Sequence, residues 1–211
     1  MRQPTLNLST LPLTWLLIAA SVIIYLLQQT GAGKELIYWL ALWSAATPEA
    51  YVEAGYPQFQ VWQIITYGFL HASPTHLFFN MFALYMFGRP LEQYWGRKRF
   101  STYYFTSLIG AGLIQLLVTW GSAPPIPTIG ASGAVFGLLL AFGAMWPRQR
   151  IMLLIPPIPI QARWFVIIYG SLQLFLGVYD NGSSVAYFAH LGGMLFGAIL
   201  LWQWGWRPLR K

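Results

Sequence analysis

Residues 11–28, 61–87, 100–121, 132–146, 164–179 and 185–204 contain no Asp, Glu, Lys or Arg. These charge-free runs restrict the fold more than any other feature. About 20 apolar residues suffice to cross the hydrocarbon core of a bilayer. In that medium every backbone N–H and C=O must be satisfied within the chain, so the segments are expected as helices. Composition agrees. Only 8% of the 211 residues are charged, against about 25% in soluble domains, and the mean hydropathy is +0.54. Eleven Trp and twelve Tyr suit a protein with two membrane–water interfaces. The expected class is an all-α integral membrane protein, a single domain over residues 1–211.

Six spans are expected: 11–28, 74–94, 100–121, 132–146, 164–179 and 185–204. The first exceeds the ~7–15-residue apolar core of a cleaved leader. Residues 29–72 carry Lys34, Glu35, Glu49 and Glu53, but also Trp39 and Trp43, and read as an outer loop of short amphipathic helices at the interface. Ser73-Pro74 reads as a helix cap followed by proline at the first helical position, and Ser184 as the cap of the last span. Residues 151–162 are apolar but hold Pro156, Pro157 and Pro159. Prolines break a helix interior, so an interfacial connector is expected there.

The basic residues orient this arrangement. With six spans, one side receives Arg2, Arg89, Arg97, Lys98, Arg99, Arg148, Arg150, Arg163, Arg207, Arg210 and Lys211, and the other only Lys34, of twelve in all. The positive-inside rule makes the rich side cytoplasmic, with both termini there. A net charge of +7 raises nucleic-acid binding as a reading. The basic residues flank apolar segments instead of forming a stripe on a soluble domain, so no nucleic-acid partner is expected. The absence of Cys excludes disulfides and thiol catalysis. No repeat relates the two halves, as an inverted-repeat transporter would require.

Topology then sets depth. Spans two, four and six start from the outer face, and His76, Ser132 and His190 each lie one or two turns inside it. At 1.5 Å per residue all three fall within about 10 Å of the outer surface. Polar groups inside a membrane are functional candidates. Ser132 and His190 supply a nucleophile and a general base. No carboxylate lies in the outer half of any span, so a Ser–His dyad is expected instead of a triad. Phe136, one turn after Ser132, is placed to stack on the imidazole. His76 and Asn80 are four residues apart, on one helix face. With the Ser132 backbone N–H they form a candidate oxyanion site. Gly133 and Gly137, and likewise Gly193 and Gly197, are spaced for close helix approach in lipid. That spacing would bring the fourth and sixth spans together. His71 reads as a solvated loop histidine or a loop anchor, and Glu92 as a partner for Arg97 or Arg99. His71, His76 and His190 lack the acidic or fourth donor of a metal centre. No metal and no cofactor is expected.

The motifs Gly130-Ala131-Ser132-Gly133, His76–Asn80 and AHLGGMLFG at 189–197 together resemble the rhomboid family of intramembrane serine proteases. The resemblance extends to VWQIITYGFLHAS at 61–73 and to Gly88, Leu91, Glu92 and Gly96, and covers nearly the whole chain. Gln63 departs from the Trp-Arg pair common at 62–63. The resemblance implies a six-helix rhomboid-like bundle, Ser132 as nucleophile, His190 as general base, and His76 with Asn80 at the oxyanion. It also implies transmembrane protein substrates cut near their outer ends. A non-catalytic membrane protein of the same fold, binding transmembrane clients, is the alternative. The positive-inside bias is expected of a multi-pass protein in a bacterial plasma membrane. Nothing in the sequence sets an oligomeric state.

Overall fold

The computed structural model describes residues 11–153, 156–179 and 186–206. Ser184, expected as a helix cap, lies outside them. The described chain is mostly helical. Helix α1 (Leu13–Gln28) is followed by the short helices α2 (Gly33–Leu40), α3 (Glu49–Glu53) and α4 (Gln63–Thr66). A 3₁₀ turn at Tyr67–Phe69 leads to α5 (Pro74–Ala83), a π-helical turn at Leu84–Gly88 and α6 (Arg89–Trp95). Helices α7 (Arg97–Val118) and α8 (Ser132–Met145) follow. Strands β1 (Arg150–Met152) and β2 (Pro159–Gln161) precede α9 (Ala162–Tyr179) and α10 (Tyr187–Gln203).

Local chemistry explains the boundaries. Ser73 accepts a hydrogen bond from the His76 N–H, and Pro74 opens α5, as a serine cap and an N1 proline should. Gly96 takes φ +78° between α6 and α7. That reversal lets α7 start at once, so Arg97, Lys98 and Arg99 form its first turn and not a loop. The proline-rich connector at 151–162 is a hairpin, with Arg150 opposite Gln161 and Met152 opposite Pro159. Proline at a strand end donates no ladder bond and is tolerated there.

α7 and α9 are long and apolar enough to cross a membrane; α1, α8 and α10 are shorter apolar helices. α10 packs along both α7 and α8. Phe100, Tyr103, Tyr104, Leu108, Leu138 and Ala141 fill the centre between them. Glycines let these backbones meet, but not as a simple pair of facing helices. A Cβ on Gly193 would strike the Gly133 carbonyl, and one on Gly137 would strike Ser107 of α7. One on Gly133 would strike Ala111, and one on Gly197 the Tyr103 hydroxyl, both on α7. The small-residue faces of α8 and α10 therefore close around α7 as well as on each other. α9 presents Ile167, Ile168, Leu172, Phe175 and Val178 outward, a surface matched to lipid and not to water.

The segments between the long helices are tied to the bundle. Leu42 and Thr128 exchange backbone hydrogen bonds of 3.0 and 2.9 Å. Gln63 is buried; its Oε1 accepts from Gln60 N (3.2 Å) and Trp43 N (3.4 Å). At the other end Glu92 accepts from Leu13 N, Thr14 N and the Thr14 hydroxyl. The carboxylate expected to serve a basic side chain thus caps the N-terminus of α1, where a negative charge also opposes the helix dipole. The Arg99 guanidinium lies 4.4 Å from the Trp204 ring centroid.

Candidate active site

Ser132 is the first residue of α8, and the loop before it is held from two sides. Gly130 donates its N–H to the Tyr67 carbonyl at 2.9 Å. Its φ of +122° is open to glycine and strained for other residues. A Cβ there would also lie 2.9 Å from His76 Nε2. Ser132 is half-buried, and its Oγ lies 2.7 Å from His190 Nε2. The first N–H groups of α8 have no partner within the helix, so those of Ser132 and Gly133 head the helix beside this hydroxyl.

His190 is buried on the first turn of α10. Its ring lies flat on Phe136, with centroids 4.3 Å apart and planes 6° from parallel. The stack continues to Tyr169 at 5.2 Å and from there to Phe165 at 5.3 Å, both on α9. On the far side of the imidazole, His190 Nδ1 lies 2.5 Å from Gln173 Oε1. Gln173 was not singled out by the sequence. It is one glutamine in an apolar helix, and only its spacing of four and eight residues from Tyr169 and Phe165 marks a shared face.

His76 borders the same site. The Ala72 N–H donates to its Nδ1 at 3.3 Å. In a neutral ring that leaves Nε2 carrying the proton, and Nε2 is the atom beside Gly130. Asn80 is buried, and its Nδ2 donates to the His76 carbonyl at 3.0 Å. One of its two N–H bonds is thereby engaged, and the rotamer is held along the inner face of α5.

His71 is not solvated. It is 1% exposed, neither ring nitrogen has a hydrogen-bond partner, and its ring packs edge-on to His76 at 5.1 Å. Its backbone is bracketed by the Gln28 side chain, through His71 N to Gln28 Oε1 at 3.0 Å and Gln28 Nε2 to His71 O at 3.3 Å. Burial, and then the neighbouring His76, pull the His71 imidazole down to about 4. Among the described residues no three His, Cys, Asp or Glu side chains gather to hold a metal ion.

A helical bundle that sets a serine hydroxyl against a buried imidazole defines a class: membrane-type helical proteins in which a hydroxyl and a ring nitrogen meet within hydrogen-bond reach. The rhomboid domain model matches residues 58–207. The chain belongs to the rhomboid family, whose members are integral membrane proteins. It is 34% identical over 141 residues to the yeast "Rhomboid protein 1, mitochondrial", covering 66% of this chain and 40% of that one. It is 34% identical over 155 residues to "Rhomboid-like protein 11, chloroplastic" of Arabidopsis thaliana, covering 70% and 54%. It is 26% identical over 203 residues to "Rhomboid protease GlpG" of Serratia proteamaculans, covering 93% and 64%. The chain thus spans between 40% and 64% of the length of these three relatives.

Proposed function

We propose that this chain is an intramembrane serine endopeptidase that hydrolyses peptide bonds of transmembrane proteins near the outer face of the membrane. The observation that carries the reading is the 2.7 Å approach of Ser132 Oγ to His190 Nε2 within an apolar bundle. Membership of a family with relatives named as proteases supports it. The proposal includes six spans with both termini cytoplasmic, a location in a bacterial plasma membrane, and a site open to water and substrate from the outer side.

In the proposed reaction a substrate helix enters laterally from the lipid and unwinds, since a helical peptide bond is shielded. Ser132 Oγ attacks the exposed carbonyl carbon and its proton passes to His190 Nε2. The oxyanion is received by the N–H of Ser132 and by His76 Nε2–H, with the Asn80 amide beside them. Loss of one such donor lowers turnover by about 10²–10³. The imidazolium gives its proton to the leaving amine. Water, deprotonated by His190, then hydrolyses the acyl-enzyme and restores the serine.

A serine-reactive fluorophosphonate, together with a transmembrane reporter substrate, tests the reading. Labelling of the wild type and of neither Ser132→Ala nor His190→Ala, with cleavage lost in both variants, is the expected result. Cleavage retained by Ser132→Ala would overturn the assignment of Ser132, and a wild type that neither labels nor cleaves would leave a client-binding role for the fold.

A further inference from the structure

Of the two helices long and apolar enough to cross a membrane, α9 is the more exposed, yet it contributes two contacts to the centre of the site. Tyr169 backs Phe136, which backs the His190 ring. One turn on, Gln173 is only 5% exposed, and its Oε1 meets His190 Nδ1 at 2.5 Å. We propose that Gln173 is the positioning residue of His190, an uncharged third member behind Ser132 and His190. This inference rests on the reading of Ser132 as nucleophile and His190 as base.

The chemistry follows from the atoms that meet. An amide oxygen accepts hydrogen bonds and cannot donate one. Facing Nδ1, it requires that nitrogen to carry the imidazole proton. The hydrogen bond at one ring nitrogen thus sets the state of the other. Nε2 is left with its lone pair toward the Ser132 hydroxyl, which is what a general base needs. The opposite tautomer would point an N–H at Ser132 and could take no proton from it. During attack the proton moves from Ser132 Oγ to His190 Nε2. Gln173 gains and loses nothing, and continues to accept from Nδ1–H as the ring becomes positively charged.

Glutamine also fits the medium. A carboxylate at this depth would be an isolated charge in an apolar bundle, and an uncompensated buried charge is strongly destabilising. The amide orients the ring by hydrogen bonding alone. Phe136 restrains the plane of the imidazole, and Gln173 restrains its rotation within that plane and its tautomer. The two constraints come from different helices and act on different degrees of freedom.

The test uses the full chain in detergent micelles with ¹⁵N-labelled histidine, of which there are three. Gln173→Met keeps the length of the side chain and removes the acceptor; Gln173→Glu keeps an acceptor oxygen at the same reach. In the wild type, neutral His190 is expected with its proton on Nδ1. In Gln173→Met the ring is expected to populate the Nε2–H tautomer. Fluorophosphonate labelling of Ser132 then falls about tenfold to a hundredfold, part of the 10²–10⁴ that general-base catalysis supplies. Gln173→Glu is expected to melt earlier, because its carboxylate is buried, but its folded fraction is expected to keep the Nδ1–H tautomer and to label faster than Gln173→Met. A wild-type His190 protonated on Nε2 overturns the proposal, and this measurement decides even if Gln173→Met does not fold. A Gln173→Met protein that melts earlier but keeps its tautomer and labelling rate also overturns it, making Gln173 a tie between helices only. If Ser132 is never labelled while the tautomer still depends on residue 173, positioning by Gln173 stands and the nucleophile reading fails.

Discussion

Phe136 and His190 lie face to face, with ring centroids 4.3 Å apart and planes 6° from parallel. The phenyl ring sits one helical turn beyond Ser132, so a single helix carries both the hydroxyl and the surface that holds the imidazole beside it. Aromatic contacts of this kind are worth about 0.5–1.5 kcal/mol. Replacing Phe136 with Leu removes the flat face while keeping an apolar side chain. Reporter cleavage is expected to fall about threefold to tenfold, with the thermal midpoint only slightly lowered. Steady-state kinetics on the purified protein, fitted for kcat and KM separately, measures this. Unchanged kcat would detach Phe136 from the chemistry.

His76 Nε2 sits beside Gly130, just ahead of Ser132. Replacing His76 with Ala removes one donor of the proposed oxyanion site. A loss of about 10²–10³ in kcat is expected, with little change in KM. The Ser73 cap of α5 uses the backbone N–H of residue 76 and survives the substitution, so the helix should remain. Circular dichroism alongside the kinetics separates lost chemistry from lost structure.

Gly193 touches the backbone of α8. A Cβ at residue 193 would strike the Gly133 carbonyl, and neither backbone can yield without moving a helix. Gly193→Ala is expected to destabilise the fold by about 1–3 kcal/mol or more, the usual range for an overfilled core. Gly31→Ala is the control, because nothing lies within 4 Å of its Cβ position. Thermal melting of both variants in the same detergent provides the comparison.

Glu92 anchors α6 to the start of α1 through bonds to Leu13 N, Thr14 N and the Thr14 hydroxyl. Glu92→Ala leaves the two buried Thr14 donors and the half-buried Leu13 N–H without this acceptor. Hydrogen bonds to a charged group are each worth about 1.5–3 kcal/mol, so a marked fall in the melting midpoint is expected. Glu92→Gln, which keeps one acceptor oxygen, should lose less. Equal midpoints for wild type and Glu92→Ala would show that the contact contributes nothing.

His71 gives a pH signature. Its imidazole is held down to about 4 in the fold, against 6.5 when free. Its folded value lies below its unfolded one, so the unfolded chain binds the proton first as the solution is acidified. The fold should therefore keep the full contribution of neutral His71 above about pH 6.5 and lose it progressively toward pH 4. The whole effect is at most about 3 kcal/mol, because a tenfold change in proton affinity corresponds to about 1.4 kcal/mol. His71→Leu gives up no side-chain hydrogen bond, since neither ring nitrogen makes one. It should flatten this part of the stability–pH curve while matching or exceeding the wild type at pH 7. A melting series from pH 4 to 8 on both proteins tests the difference.

Different kinds of signal lie behind what could be read from the chain and what could not. The helix starts at Pro74 and Ser132 are written locally, in a serine–proline pair and in a glycine-led turn, and the helices begin at those residues. The strand pair at 150–161 was not legible. Its prolines argue against a helix without saying what replaces it. The start of α7 at Arg97 was masked by its charges, which resemble a loop. Ser132, His190, His76 and Asn80 could be singled out as polar residue types in apolar runs; the distances among them could not be read. His71 read as a solvated loop histidine or a loop anchor and Glu92 as a partner for Arg97 or Arg99, because polarity along the chain reports neither burial nor the partner across it.

The sequence by itself determined the class of the protein. Apolar length and scarcity of charge act through the cost of exposing backbone and charge to lipid, and that cost depends on composition and its order along the chain. Only the tertiary structure decided which polar side chains meet. Gln173 reaches His190 because of how α9 is rotated and seated against α8 and α10. α7 fills the groove that the small residues of α8 and α10 leave, because a glycine face states only that something can come close. Contact depends on the relative rotation and translation of whole helices, set by side chains far apart in the chain.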